Sequence, residues 1–240
     1  PAHFGAFHLG ATRAAGQDIQ SILQGAVLEV PLPQSLAPGA SADVQIDFTL
    51  TVPSPGNLRF GRANGIIALG NWYPVLSVWR SPTFNPDVAS GWSRHPYVDT
   101  GDAFFTAVAD YDVSLDLNTT ASVAHTGELV RQQGSLWVFR ARQVRDFALA
   151  ISPRYETKSA VVGNTTVTAF YLPEHRSAGQ QYLDSAAESL AWFNAKLGTY
   201  PYSTMQVAET STNDPGWVGQ EYPNVVFISN QVSAAGGGIG

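Results

Sequence analysis

Residues 42–52 limit the fold more than any other stretch. Val44, Ile46, Phe48, Leu50 and Val52 alternate with Asp43, Gln45, Asp47, Thr49 and Thr51. A period of two over that length puts one set of side chains on a buried face and the other in water, as in an antiparallel sheet. Pro53 and Pro55 end the strand, since proline has no backbone N–H to give a ladder. The alternation returns in 104–117, where Tyr111, Val113, Leu115 and Leu117 stand against Asp110, Asp112, Ser114 and Asp116. Shorter strands are predicted at 24–30, 121–126, 135–142, 146–152 and 165–172, with turns at 37–39, Gly127, Gly134 and the Gly163, Asn164 pair. Residues 65–79 are apolar on both sides, 81–93 read as a loop, and 1–16 have no clean period. Many short strands at close spacing predict a mainly β protein built on a large antiparallel sheet or sandwich.

At Pro173 the texture changes. Within 177–197, Tyr182, Ala186, Leu190, Phe193 and Leu197 recur at steps of three and four, the spacing of one helical face. Ser177 with Gln180 forms a capping-box pair at the start. Gly198 sits past the end, and Pro201 blocks continuation. Strands are predicted beyond it at 204–210 and 224–229, before a Gly-rich tail at 234–240. The expected division is 1–173 as an antiparallel β domain and 174–240 as the opening of a mixed α/β domain.

Composition narrows the classes of function. At 240 residues, 44% apolar and only 13% charged, the chain is globular and has ample core. A net charge of −6 argues against nucleic acid as a partner. No apolar run reaches the length of a membrane span. Cysteine is absent, which removes disulfides and thiolate metal sites. The chain opens at Pro1, so it reads as an excised segment with any targeting sequence upstream. That start and a lysine content limited to Lys158 and Lys196 lean toward an extracytoplasmic protein; nothing in the sequence sets an oligomeric state.

The candidate chemistry lies in P-G-W-V-G-Q-E-Y-P-N-V-V-F-I-S, residues 215–229. Pro215 and Gly216 read as a turn and 224–229 as a short buried strand. Glu221 then lies on the segment running into that strand, between Gly219 and Tyr222. A carboxylate there, beside backbone that glycine leaves open, suits a cation such as a free amino group. The local alternative is an ordinary solvated acid.

V-G-Q-E-Y-P, from Val218 to Pro223, resembles the Gly-Gly-Met-Glu-Tyr-Pro form of the exopeptidase motif. That motif belongs to the zinc aminopeptidases of the membrane alanyl aminopeptidase and leukotriene hydrolase type, the gluzincins. Val218 replaces the first glycine and Gln220 the methionine. The resemblance implies that Glu221 grips the substrate's N-terminal amine while Gly219, Gln220 and Tyr222 line the peptide. It continues through L-G-N-W-Y-P-V-L (69–76), P-Y-V-D-T-G-D-A-F-F (96–105), V-R-D-F-A-L-A-I-S-P-R-Y (144–155), G-T-Y-P-Y (198–202) and A-E-T (208–210). It implies a saddle-like β domain followed by the first helix and strands of a thermolysin-like catalytic domain. Trp72 and Tyr73 would help close the pocket for the substrate's N-terminus.

The family's zinc site is His-Glu-x-x-His on a helix, with the middle Glu activating water. His3, His8, His95, His125 and His175 open no such motif. The resemblance implies zinc in a parent enzyme, with its ligands past Gly240, and none in this segment. The expected parent removes N-terminal residues from peptides; the segment alone would be inactive. Two other readings stand beside it: a non-catalytic β-sandwich module using Trp72, Tyr73, Trp79 and Trp92 as a binding platform, and a relative that kept the fold and lost catalysis. Asp110, Asp112 and Asp116 lie on the wet face of a strand and read as solvated. The Glu174, His175 pair and His95 read as surface linker and loop.

Overall fold

A computed structural model describes residues 4–56, 59–81, 89–94, 105–210 and 218–229. His95 and the rest of 96–104, the Pro215, Gly216 turn and the 234–240 tail lie outside the described residues. The strands begin with β1 (Ala6–Ala14), β2 (Gln17–Asp18), β3 (Ile22–Gln24), β4 (Val27–Glu29), β5 (Val44–Thr51), β6 (Phe60–Ala63), β7 (Ile66–Leu69), β8 (Trp79–Arg80) and β9 (Gly91–Trp92). They continue with β10 (Ala109–Asp116), β11 (Ser122–His125), β12 (Glu128–Gln133), β13 (Leu136–Val144), β14 (Leu149–Ser152), β15 (Glu156–Val162) and β16 (Thr165–Tyr171). Helix α1 (Arg176–Leu197) precedes β17 (Thr204–Thr210), β18 (Gly219–Tyr222) and β19 (Val225–Ser229). The protein is mainly β, with several antiparallel sheets and one α-helix among the described residues. Two compact units form: Ala6–Thr51 with Pro74–Ala107, and Pro1–Gly5 with Val52–Tyr73 and Val108–Gly240.

In the smaller unit β2, β1 and β5 form one antiparallel sheet. On β5 the alternation holds: Ile46, Phe48 and Leu50 are half-buried and their neighbours exposed. Phe7 stacks on Phe48 at 5.3 Å. The sequence gives no period for β1 because its register slips between Leu9 and Thr12, and such a bulge resets which side chains face inward. The predicted 24–30 strand is instead the β3–β4 hairpin, turning at Gly25 with φ +58°.

In the larger unit α1 covers the mixed sheet β15-β16-β17-β19-β18, which packs on β11-β14-β7-β6, which packs on β10-β13-β12. The middle sheet is buried on both faces. Ala68, Ala124 and Ala150 face the mixed sheet, while Leu69, Val123, Leu149 and Ile151 face β10-β13-β12. β7 is therefore apolar on both faces, which is why 66–69 show no polar alternation. Phe139, Phe147 and Phe227 are fully buried, each contributing roughly 1.5–3 kcal/mol. β6 and β7 turn through Asn64 and Gly65, both at positive φ, the Asn-Gly hairpin signal.

β16 crosses to the parallel β17 through α1, the connection parallel pairing needs. Tyr182, Ala186 and Leu190 are buried against Val167, Ala169 and Val207, but Phe193 and Leu197 are exposed, at 49% and 79%. The capping box does not form. A 3-10 turn at Pro173–His175 runs straight into α1, His175 is the N-cap residue without a capping bond, and Gln180 bonds Asp184 and Lys158. Ser177 is already inside the helix, so no end is left for it to cap.

Candidate functional site

The candidate residue Glu221 lies on β18, the edge strand of the mixed sheet, rather than on an approach segment. β18 and β19 turn through Pro223 and Asn224, and Asn224 has φ +66°. Proline first and a left-handed asparagine second suit a type II turn. Asn224 is buried and anchors that turn: Gly127 N donates to its Oδ1 at 3.1 Å, and its Nδ2 donates to Thr204 O at 3.2 Å.

The register decides which way each group points. Ser229 N donates to Val218 O, and Gln220 lies opposite Phe227. Hydrogen-bonded and non-bonded pairs alternate along an antiparallel ladder. Gln220 and Tyr222 thus exchange bonds with β19, while the backbone N–H and C=O of Gly219 and Glu221 face the free edge. Glu221 C=O receives a 3.4 Å bond from Gln220 Nε2. Side chains alternate too. Glu221 shares a face with Val226 and Ile228, the α1 side, and is exposed. Gln220 and Tyr222 point to the opposite face and are half-buried, with Tyr222 against Phe227 at 5.1 Å.

That inner face is closely fitted. Arg59 Nη2 donates to Gln220 Oε1. Gly70 N donates to Arg59 O at 2.8 Å. Tyr222 Oη stands over Gly70, where an added Cβ would lie 1.9 Å from it. The glycine is needed there for room.

Trp72 and Tyr73 follow Gly70 and Asn71 and pack half-buried in the cluster around Phe139 and Phe147. Their polar atoms are committed. Trp72 Nε1 donates to Phe147 O at 3.0 Å, and Tyr73 Oη donates to Asp146 Oδ1 at 2.9 Å. Asn71 Nδ2 donates to Asp146 Oδ2 at 2.7 Å. Burial pushes the Asp146 carboxyl up, against the pull of Tyr73, Phe147 N and the Arg59 charge. Burial beside Asp146 also raises the Tyr73 hydroxyl. Trp79 and Trp92 form an edge-to-face pair of their own at 5.2 Å. The four rings are not alike, since Trp79 and Trp92 are exposed and Trp72 and Tyr73 serve a core.

Two acids escaped the sequence reading. Asp146 is one. The other is Glu209 on β17, fully buried, whose carboxylate accepts from Leu172 N at 3.0 Å and His175 Nδ1 at 2.7 Å. An acid inside a strand otherwise reading as buried was the available signal. His175 is thus tied into the fold, while Glu174 stays at the surface with Arg154. Asp112 is held by Arg140 and Arg142 on an exposed face, and those guanidiniums hold its carboxyl below the usual range.

No family model matches the chain, and no curated protein matches it in sequence. Among solved structures it is similar to an M1 zinc metallopeptidase from Deinococcus radiodurans, with TM-score 0.54 and 15% identity over 93% of this chain and 50% of that one. A mutant M1 zinc metallopeptidase of the same organism, bound to a Tyr-Ser-Ala substrate, matches with TM-score 0.51 and 16% identity over 92% and 50%. The fold is the one seen in M1 zinc metallopeptidases. The chain spans about half the length of these solved structures, and at this identity the likeness is one of fold.

Zinc needs three or four His, Asp, Glu or Cys donors converging on one point. Among the described residues no three such side chains come together to hold a metal ion. The described residues therefore do not fit that cofactor.

Proposed function

We propose that this chain is the substrate-amine-recognition part of a zinc aminopeptidase, with 1–173 its β domain and 174–240 the opening of its catalytic domain. The observation that carries this reading is the place of Glu221: an exposed carboxylate on an edge strand whose neighbouring backbone groups face outward. The fold shared with M1 zinc metallopeptidases, one of them bound to a tripeptide substrate, supports it.

An extended peptide can add to such an edge by backbone hydrogen bonds, using the outward groups of Gly219 and Glu221. Its terminal ammonium would then donate to the Glu221 carboxylate, a charge-assisted bond that a blocked terminus lacks. Gln220 and Tyr222 hold the strand from behind. Trp72 and Tyr73 pack into the core around Phe139 and Phe147 with their polar atoms engaged there, and on this reading they make no contact with the peptide. The peptide-cleaving chemistry, including the metal, belongs to other residues of the parent enzyme.

The test is Glu221→Ala in the full-length enzyme, assayed on aminoacyl-anilides. A hydrogen bond to a charged group is worth ~1.5–3 kcal/mol, so kcat/KM should fall by about one to two decades. An unchanged kcat/KM removes Glu221 from the site.

A further inference from the structure

Gln220 stands where the motif that Glu221 belongs to has methionine, and the structure supplies that amide with a partner. Arg59 Nη2 donates to Gln220 Oε1 across 161 positions of sequence. Arg59 is itself fixed on the β6–β7 side. Its carbonyl accepts from Gly70 N at 2.8 Å, and its charge reaches the Asp146 carboxylate bonded to Asn71 and Tyr73. Tyr222, the other inward side chain of β18, ends over the same Gly70.

β18 needs such anchoring. It is an edge strand of four residues with one ladder, to β19, and short edge strands open at little cost in free energy. Both inward side chains dock on the Arg59 and Gly70 pair. Side chains on a strand alternate, so fixing Gln220 and Tyr222 on one face fixes where Glu221 points on the other.

We propose that Arg59 is a positioning residue: through Gln220 it holds the edge strand in the pose in which Glu221 meets a substrate ammonium. This rests on the amine-binding reading of Glu221. Arg59 lies on the opposite face from the carboxylate and acts through the strand, without touching substrate. The Gln220 substitution and Arg59 then form one unit, a polar latch where the motif's methionine would leave an apolar contact.

Two measurements test this, one on the 240-residue chain and one on the full-length enzyme. In the chain, Arg59→Met should speed hydrogen exchange at the Gln220 and Tyr222 amides by about tenfold and leave β16 and β17 unchanged. In the enzyme, the same substitution should raise KM for an aminoacyl-anilide by about tenfold with kcat within about twofold, the mark of lost uniform binding. Arg59→Lys should recover part of the loss. The double variant Arg59→Met with Gln220→Met should bind better than Arg59→Met alone, because replacing both partners leaves no half-buried amide oxygen without its donor. If Arg59→Met fails to fold, Gln220→Leu removes the same bond from the other end and carries the same expectations.

Unchanged exchange in β18, or an unchanged KM beside a Glu221→Ala enzyme that is impaired, overturns the role of Arg59 and leaves the amine-binding reading standing. Losses from Arg59→Met and Gln220→Met that simply add also overturn it. If Glu221→Ala is itself without effect, the amine-binding reading has failed and the positioning role goes with it, even where exchange in β18 responds to Arg59→Met.

Discussion

Gly179→Ala should destabilise the chain, against the sign that helix propensity gives. Gly179 lies in the first turns of α1 and is buried. Alanine in a helix interior is better than glycine by about 0.8–1 kcal/mol, so local preference favours the substitution. Packing opposes it. An added Cβ would lie 2.2 Å from Tyr171 Cδ1, 2.3 Å from Cγ and 2.7 Å from Cε1, against about 3.5–4 Å for carbon atoms in contact. Tyr171 is 3% exposed, and Cγ lies on the Cβ–Cγ axis, so turning the ring about that bond does not clear the overlap. The helix must move off β16 or the ring must leave its place in the core. Overpacking of this kind costs about 1–3 kcal/mol, and overlap with three ring atoms puts this case at the upper end. The net loss should be about 2 kcal/mol after the propensity gain. Urea unfolding followed by far-ultraviolet circular dichroism reads it as a lower midpoint at constant slope. Ser189→Ala, on the exposed side of α1, reports propensity alone and should be neutral or slightly stabilising. Adding Tyr171→Leu to Gly179→Ala should cost less than the two single losses summed. A Gly179→Ala chain as stable as the parent would show that α1 does not approach β16 this closely, and the packing account of the β16–α1–β17 crossover would fall.

Two other outcomes are expected. Burial lowers the His125 pKa below its ordinary 6.5, so its contribution to stability is present above that value and is lost as pH falls through the lowered one; the urea midpoint should drop between pH 7 and 5, and His125→Asn should flatten that slope, whereas equal slopes would count against a buried neutral imidazole. Glu209→Ala leaves the buried Leu172 N–H without its acceptor and opens a cavity, for a loss of about 3 kcal/mol or more; Glu174→Ala, at the exposed Arg154 pair, should scarcely move the midpoint, and equal effects of the two would refute the ranking by burial.

How much of this was legible in the residues depends on how local each cause is. β5 and β10 were legible because an alternating strand writes its own period. β1 was not, because a bulge between Leu9 and Thr12 breaks it. β12 was missed because all six of its residues are exposed, so no buried face leaves a pattern. The β6–β7 hairpin carried a readable Asn-Gly turn at Asn64 and Gly65 that the apolar run beside it obscured. In α1 the period of Tyr182, Ala186 and Leu190 was sound, but no periodicity says that Phe193 and Leu197 run past the sheet they would cover. At the candidate site, the resemblance of V-G-Q-E-Y-P was visible, yet Gly219–Tyr222 is too short and too polar to read as a strand. Arg59 gave no local signal at all, since its partner lies far along the chain.

The two departures from the aminopeptidase motif bear on the edge strand in different ways. Val218 replaces a glycine, but what the ladder takes from this position is its carbonyl, which accepts from Ser229 N at 2.9 Å. Its side chain is 55% exposed, and a β-branched residue suits extended backbone. Nothing on that strand requires glycine there. Gln220 is different, because it points into the half-buried face, where an amide without a partner costs free energy. The structure meets that cost with a guanidinium from β6's approach, and the same bond ties the strand to the hairpin that bears Gly70. Neither change touches the face on which Glu221 stands. On the amine-binding reading, the carboxylate on the outer face keeps its orientation only while Gln220 stays bonded to Arg59 behind it, and the exposed Val218 side chain is indifferent to that pose.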